Sequence, residues 1–568
     1  MKKLMQWAIA AALICSSTVF TGCSKSDDNQ EPVVKPEQPD DDGGNSSSDD
    51  IGYIECSWNG TEVVKTPKVT TARDMSTLSY SSGSVRNTIK ISGFYFISGS
   101  FTTDNYLYVD GWAAIILCDG ADLKVSGIYV NNGGTLIIYA QEKGTGHLYA
   151  ETKYSDDFCP AIGTYVGDGG KVEIHGGNVD AKGGIRSAGI GGGGSDDGHA
   201  NLSDIIIYGG RVYGHSNGGA GIGAGAYDTS VKTNITIYDG LIEGSGGTDV
   251  YKGKFYGVGI GGGHKASFGS VNIYGGTVTA SASDESAGIG AGEEAPNGEG
   301  VVNIYGGTVT AQGGARGAGI GGGDGRRLNE INIHGGEVYA YAGADGAGIG
   351  GGEDGDSGDI NIYGGIVRAY GDRYADGSSN KGYGAGIGSG QNGNVNTIII
   401  KGGDVQAYGG MDAAGIGTGE EYGSDINSGT IEIHGGKVWA EGKGYGAGIG
   451  AGEDATFGVL GISGGRVDAH AGSDCGPWSG SIGAYHKDHG ADDNCHIGWA
   501  GWQRIYIGAG MRLWTYSPNV GSIETVTNNL PWWNYVHQRP QAAFDVCDHP
   551  GYTEATCPFC YRETLQLR

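Results

Sequence analysis

Apolar and polar positions along this chain alternate in short bursts, and from about residue 170 to about residue 470 the same burst keeps returning. Nearly consecutive copies read VNIYGGTVTA, INIHGGEVYA and INIYGGIVRA, separated by AGIGAGEE, AGIGGGDG and AGIGGGED. In the copy that starts at Val302 the alternation has a period of two, which is strand periodicity. Val302 and Ile304 point to one side, Asn303 and Tyr305 to the other. Gly306-Gly307 bends the chain, because glycine takes positive φ at little cost. The following TVTA is a second short strand with Val309 inward. The Ala-Gly-Ile-Gly phrase is a third, with Ile320 as its large apolar group. The second glycine of each pair falls at Gly177, Gly210, Gly240, Gly276, Gly307, Gly336, Gly365, Gly403, Gly436 and Gly465, in steps of 29 to 38 residues. A period in that range with drifting loop length means stacked copies of one unit. Three short sides per unit predict an all-β fold, a right-handed parallel β-helix of about ten coils. At about 4.8 Å per coil, ten coils span roughly 48 Å.

One coil cannot bury its isoleucines; stacking makes ladders of them. The isoleucine of the glycine-rich phrase recurs from Ile162, Ile190 and Ile222 through to Ile449 and Ile482, and these are predicted core.

The array resembles the Ala-Gly-Ile-Gly-Gly-Gly repeat β-helices of secreted and surface proteins of gut-dwelling bacteria, which share the pectate-lyase-like architecture. The lead-in phrases ISGFYFISGS, AAIILCDGADLKVSGIYV and GGTLIIYAQEKGTGHLYA precede the repeats in the order found in similar proteins. The resemblance covers roughly residues 90–485. It implies the fold and leaves the activity open, since parallel β-helices host lyases, hydrolases, adhesins and binding proteins.

The ends differ from the array. Residues 1–22 read as a lipoprotein signal peptide: Lys2 and Lys3 form a basic start, Ala8 to Ile14 an apolar core too short to span a membrane. Phe20-Thr21-Gly22-Cys23 resembles a bacterial lipobox, so Cys23 is the expected lipidation site. Residues 23–50 form an acidic tether of disordered composition. Its SKSDDN start looks like the surface-export tag of some Gram-negative lipoproteins, which implies the outer membrane, exposed on the cell surface. Residues 51–165 are expected to be a β-rich lead-in or cap, 166–485 the repeat helix, and 486–568 a Trp-rich end with a ribbon-like Cys/His cluster. The formal charge of −28 makes nucleic acid an unlikely partner, and a monomer is expected.

Ten cysteines include Cys15 in the leader and Cys23. Outside the cytoplasm disulfides are the default, with Cys118–Cys159 and Cys475–Cys495 as plausible pairs. Cys547, His549, Cys557 and Cys560 resemble a small zinc ribbon, with a disulfide as the equal alternative. Six of ten tryptophans lie late in the chain: Trp478, Trp499, Trp502, Trp514, Trp532 and Trp533. They suit a cap over the solenoid end, or a platform for sugar rings.

Candidate chemistry lies on the outer face. The residue before each glycine pair is Tyr or His in eight of ten coils, and Asn272, Asn303, Asn332 and Asn361 stand two residues earlier. Ladder stabilisation by side-chain pairing explains most such rungs. Arg316, Arg326 and Arg327 precede Asn332 and His334. Arginine suits carboxylate and sulfate. Abstraction of a proton α to a uronate carboxylate needs a base, His334 or an ionised Tyr305 or Tyr363, and neutralisation of the developing charge, by Asn332 and the arginines with Asn303 and Asn361 beside them. A second, acidic ladder follows the isoleucine of each glycine-rich phrase: Glu293, Asp324, Glu353, Gln391, Glu420 and Glu453. Stacked carboxylates repel unless a cation intervenes, and calcium suits them, with Glu293, Asp324 and Glu353 as ligands. Otherwise they are solvated loops. No Ser-His-Asp pattern, phosphate loop or nucleotide fingerprint is evident, and GIGGGG at 189–194 lacks the lysine and helix of a phosphate loop.

The expected function is therefore an endo-acting polysaccharide lyase working by β-elimination on acidic polymers such as glycosaminoglycans or pectin-like chains. The alternative is a non-catalytic glycan-binding protein or adhesin.

Overall fold

The computed structural model describes residues 48–485 apart from 79–87, 153–157, 166, 168, 195–201, 228, 230, 248–256, 373–381, 423–425, 457 and 473–481. Beyond these it describes the backbone of four strands between 505 and 545. The chain is a right-handed parallel β-helix. Among the described residues the sole helix is the 3-10 turn Met75–Thr77, and no helix is long and apolar enough to cross a membrane.

Each coil contributes one strand to each of three parallel sheets. In the coil that begins at Val301 these are Val301–Ile304, Thr308–Gln312 and Ile320–Gly321. Register is kept from coil to coil. Val302, Ile331, Ile360, Ile398, Ile431 and Leu460 form one column in the first sheet. Val309, Val338, Val367 and Val405 form one in the second. The isoleucines from Ile162 to Ile482 form one in the third. All are buried, and each contributes about 1.5–3 kcal/mol by leaving water.

Glycine is required at two places in the coil. The second glycine of each pair turns the chain at φ between +80° and +113°, as at Gly276 and Gly240. The glycine after each ladder isoleucine lets neighbouring coils touch: a Cβ on Gly321 would lie 1.8 Å from the carbonyl oxygen of Gly350. The Ala-Gly-Ile-Gly phrase is thus a packing rule, a place where one coil's backbone lies too close to the next for any side chain.

The helix begins well before residue 166. Lys171–Ile174 pairs in parallel with Thr135–Ala140, that strand with Tyr106–Leu117, and that one with Thr88–Ile97. The lead-in is coil from residue 88 onward. Ahead of it, Ser48–Trp58 and Val63–Asp74 form an antiparallel hairpin whose first strand lies along the outside of the first sheet. Tyr53 packs against Tyr139, the Cys56 backbone N–H donates to His175 Nδ1 at 2.9 Å, and Trp58 reaches Tyr238 and Tyr274. At the other end Gln541–Asp545 pairs antiparallel with Arg466–His470, the last described coil strand of the second sheet, which covers an otherwise open edge.

The structure does not join Cys118 to Cys159. Both thiols are buried, Cys118 in the main core and Cys159 beside Tyr106 and Tyr129. The lipobox with Cys23, the pair Cys475–Cys495, the cluster Cys547, His549, Cys557 and Cys560, and Trp478, Trp499, Trp502, Trp532 and Trp533 lie outside the described residues. So does the side chain of Trp514.

Candidate functional site

The residues before the glycine pairs stack on the outside of the first sheet, one per coil. His175, Tyr208, Tyr238, Tyr274, Tyr305, His334 and Tyr363 follow one another with ring centroids 4.6 to 5.1 Å apart. Lys401 then lies over the ring of Tyr363, 4.6 Å from its centroid. The hairpin covers the early rungs; Tyr305, His334 and Tyr363 are open to solvent. Beside them runs a chain of amides. Asn303 donates to Asn272 at 2.8 Å, Asn332 to Asn303 at 3.0 Å, and Asn361 to Asn332 at 3.1 Å.

The structure brings Tyr305, His334, Tyr363, Asn303, Asn332 and Asn361 together as predicted, but in a form that suits support. The rings meet face to face, so only their edges reach solvent. Asn332 is 7 % exposed, and its amide is spent on the ladder. Burial lowers the His334 pKa, with Glu330 acting in the opposite direction, which leaves a neutral imidazole near pH 7.

The three arginines are elsewhere, which corrects the constellation proposed from sequence. Arg316 lies in the turn between the second and third sheets. Its guanidinium is 3.0 Å from Glu353, 3.2 Å from Asp324 and 3.8 Å from Glu285. Arg327 faces Asp356 at 3.9 Å. Arg326 acts electrostatically on Glu294 and Asp324. Among the described residues no hydrogen bond or ion pair joins any of them to His334. A turn that leaves the strand can point its side chain to either neighbouring face, and here the acidic ladder attracts it.

That ladder is real but is arranged differently from the predicted calcium set. Glu293 and Asp324 come together with Glu285, their ligand oxygens all within 4.8 Å of one another. Glu353 lies outside that trio, and Arg316 reaches it and two of the trio, Asp324 and Glu285. The guanidinium supplies the cation that these stacked carboxylates need, and calcium on the trio would have to displace it. Burial, opposed by Arg316, raises Glu353 to about 7 and Asp345 to about 6.

The sequence reading missed a cleft of ≈ 550 Å³ on the outside of the second sheet, lined by Asp122, Lys124, Thr145, His147, Tyr149 and Asp180. His147 Nε2 is 2.9 Å from Asp180 and Nδ1 is 3.8 Å from Asp122. Lys182 donates to the Tyr149 hydroxyl at 3.1 Å, and that hydroxyl donates to Glu151. Lys124 pairs with Asp122 at 3.2 Å. The signal was available as HLYAETK and NVDAK, two strands whose outward positions are all polar or aromatic. The period-two rule that turns Tyr305 outward on the first sheet turns these side chains outward on the second. The size falls within the usual range for ligand sites. Alternating donors and acceptors complement a molecule rich in hydroxyls.

A family model described as Beta helix repeat matches residues 172–194, 271–293, 302–324, 331–353, 360–391, 398–420 and 431–453. No curated protein and no solved structure matches the chain. The matched segments run from the first sheet through the third in coil after coil, and such repeats are compatible with pectate-lyase-like and with glycan-binding proteins. The chain is a parallel β-helix repeat protein.

Proposed function

We propose that this β-helix is a glycan-binding protein of the bacterial surface, carried on the outer membrane by a lipid on Cys23 and acting as a monomer. The observation behind this reading is the shallow, open cleft beside His147, where charged and hydroxyl side chains stand on the second sheet of an otherwise regular solenoid. Lys124 keeps N–H donors beyond its pair with Asp122, and Asp122 and Asp180 keep carboxylate acceptors, a set suited to sugar hydroxyls. The partner class expected from sequence is an acidic, uronic-acid polymer. The chain carries −28 and Lys124 and Lys182 already have acidic neighbours, so such a polymer would need calcium to bridge carboxylate to carboxylate. Structural zinc at Cys547, His549, Cys557 and Cys560 belongs to the same proposal.

The elimination reading keeps one support, a neutral His334 on the exposed part of the first sheet. It lacks the neutralising arginines.

The test uses the full chain in affinity gels containing uronic-acid or neutral polysaccharides, with and without chelator, while the absorbance of unsaturated uronates is followed. Retention without new absorbance, weakened about tenfold in His147→Ala and Lys124→Ala, is expected. A rise in absorbance that His334→Ala abolishes would restore the lyase. Retention lost with chelator would assign the bridging role to calcium.

A further inference from the structure

On the first sheet the ladder changes character after Lys401. The next rungs carry Glu432 and His434 on one strand, Thr430–Ile433 with its following residue, then Gly461 and Ser463 on the strand and turn of the next coil. His434 Nδ1 is 2.7 Å from Ser463 Oγ, and His434 Nε2 is 3.0 Å from Glu432 Oε2. A carboxylate accepts only, so Nε2 carries the proton and Nδ1 presents its lone pair to the serine hydroxyl. That is the protonation pattern of a serine nucleophile with its base and orienting acid. Sequence spacing hid it: the serine lies 29 residues from the histidine, one coil further along.

Glu173 and His175 make the same strand pair, with Nε2 3.4 Å from the carboxylate. There Nδ1 accepts the Cys56 N–H and the next rung is Tyr208. In the later coil the hairpin is absent from the pair, the aromatic is replaced by serine, and Gly461 leaves no side chain over Glu432. The aromatic column that runs from His175 to Tyr363 thus ends here on a serine.

We propose that Ser463, His434 and Glu432 form a hydrolytic centre for small O-acyl esters, separate from the cleft at His147 and independent of the glycan-binding reading. Ser463 Oγ bonds to the acyl carbon as its proton passes to His434 Nδ1. The tetrahedral adduct collapses, the bond to the alcohol oxygen breaks, and the alcohol leaves with the proton from Nδ1. Water then repeats the sequence on the acyl-serine, releasing the carboxylic acid and restoring Ser463. The groups are open to solvent, so the acyl donor itself must exclude water from them.

The experiment is covalent labelling of the full, folded chain with a fluorophosphonate probe, with the modified peptide identified by mass spectrometry. Labelling at Ser463 that vanishes in Ser463→Ala and on unfolding is expected. It should slow by about a hundredfold or more in His434→Ala, the usual contribution of a positioned base, and less in Glu432→Gln. All three side chains are on the surface, so unchanged melting temperatures verify that the variants fold. Labelling elsewhere, no labelling, or an equal rate in His434→Ala overturns the proposal.

Discussion

His334 lies flat against Tyr363, the two rings parallel to within 2° with centroids 4.6 Å apart, and the opposite face of the same imidazole is stacked on Tyr305 at 4.7 Å. A ring held on both faces is part of the wall. Replacing His334 by alanine should cost about 1–3 kcal/mol, two aromatic contacts at about 0.5–1.5 kcal/mol each, whereas His334→Tyr should be close to neutral because the neighbouring coils already carry tyrosine. Thermal unfolding of the two variants checks this, and a large loss in His334→Tyr would refute the stacking account.

Coil contact sets a harder limit. Gly321→Ala would place a methyl group 1.8 Å from the Gly350 carbonyl oxygen and should abolish soluble, folded protein. Gly325→Ala, four residues later with positive φ but nothing within 4 Å, should cost only about 1 kcal/mol of backbone strain. Expression yield and melting temperature of the pair separate packing from conformation.

The acidic ladder predicts a pH dependence with a definite sign. Glu353 and Asp345 have folded pKa values raised to about 7 and about 6 from 4.5 and 3.8. The native state therefore holds their protons more tightly than the unfolded chain does. Their contribution is fully present below about pH 4 and is lost as pH rises through 6 and 7. His264, pushed down to about 4 by burial, acts oppositely between 6.5 and 4, so the variants are more telling than the bare profile. Glu353→Gln should match the parent at pH 4 and melt higher at pH 8. Arg316→Ala, which strips the cation from Glu285, Asp324 and Glu353, should melt lower at pH 8 and recover on acidification.

Trp58 should hold the hairpin to the helix. Its indole stacks on Tyr238 at 5.0 Å and tilts against Tyr274 at 5.3 Å. Trp58→Ala should cost about 1–3 kcal/mol and expose the turn at Asn59–Glu62 to protease, with the coils beyond it left intact. Limited proteolysis followed by mass spectrometry reads this directly.

What the residues disclosed in advance was whatever repeats. The period gave the coils, alternation gave Val302 and Ile304 inward and Tyr305 outward, and the glycine pairs gave the turns. What stayed hidden was whatever depends on distance in sequence or on the course of a turn. Arg316 stands close to His334 in the chain, yet its turn carries it to Glu353. Ser463 and His434 are one coil apart and read as unrelated. The outward residues of the second sheet, His147 and Asp180 among them, follow the same period-two rule as the first.

The N-terminal hairpin also fixes an order of events. The strand ending at Trp58 is made before any coil exists, but Cys56 bonds to His175, 119 residues later, and Trp58 waits for Tyr274. Contacts of such separation close slowly. As the chain leaves a ribosome, the first strand can dock only in steps, Tyr53 once the coil of Tyr139 has wound, Cys56 with that of His175, and Trp58 last, with those of Tyr238 and Tyr274. That interval is when this protein is most open to misassembly, and a chaperone or export factor that shields the first strand would have its greatest effect then.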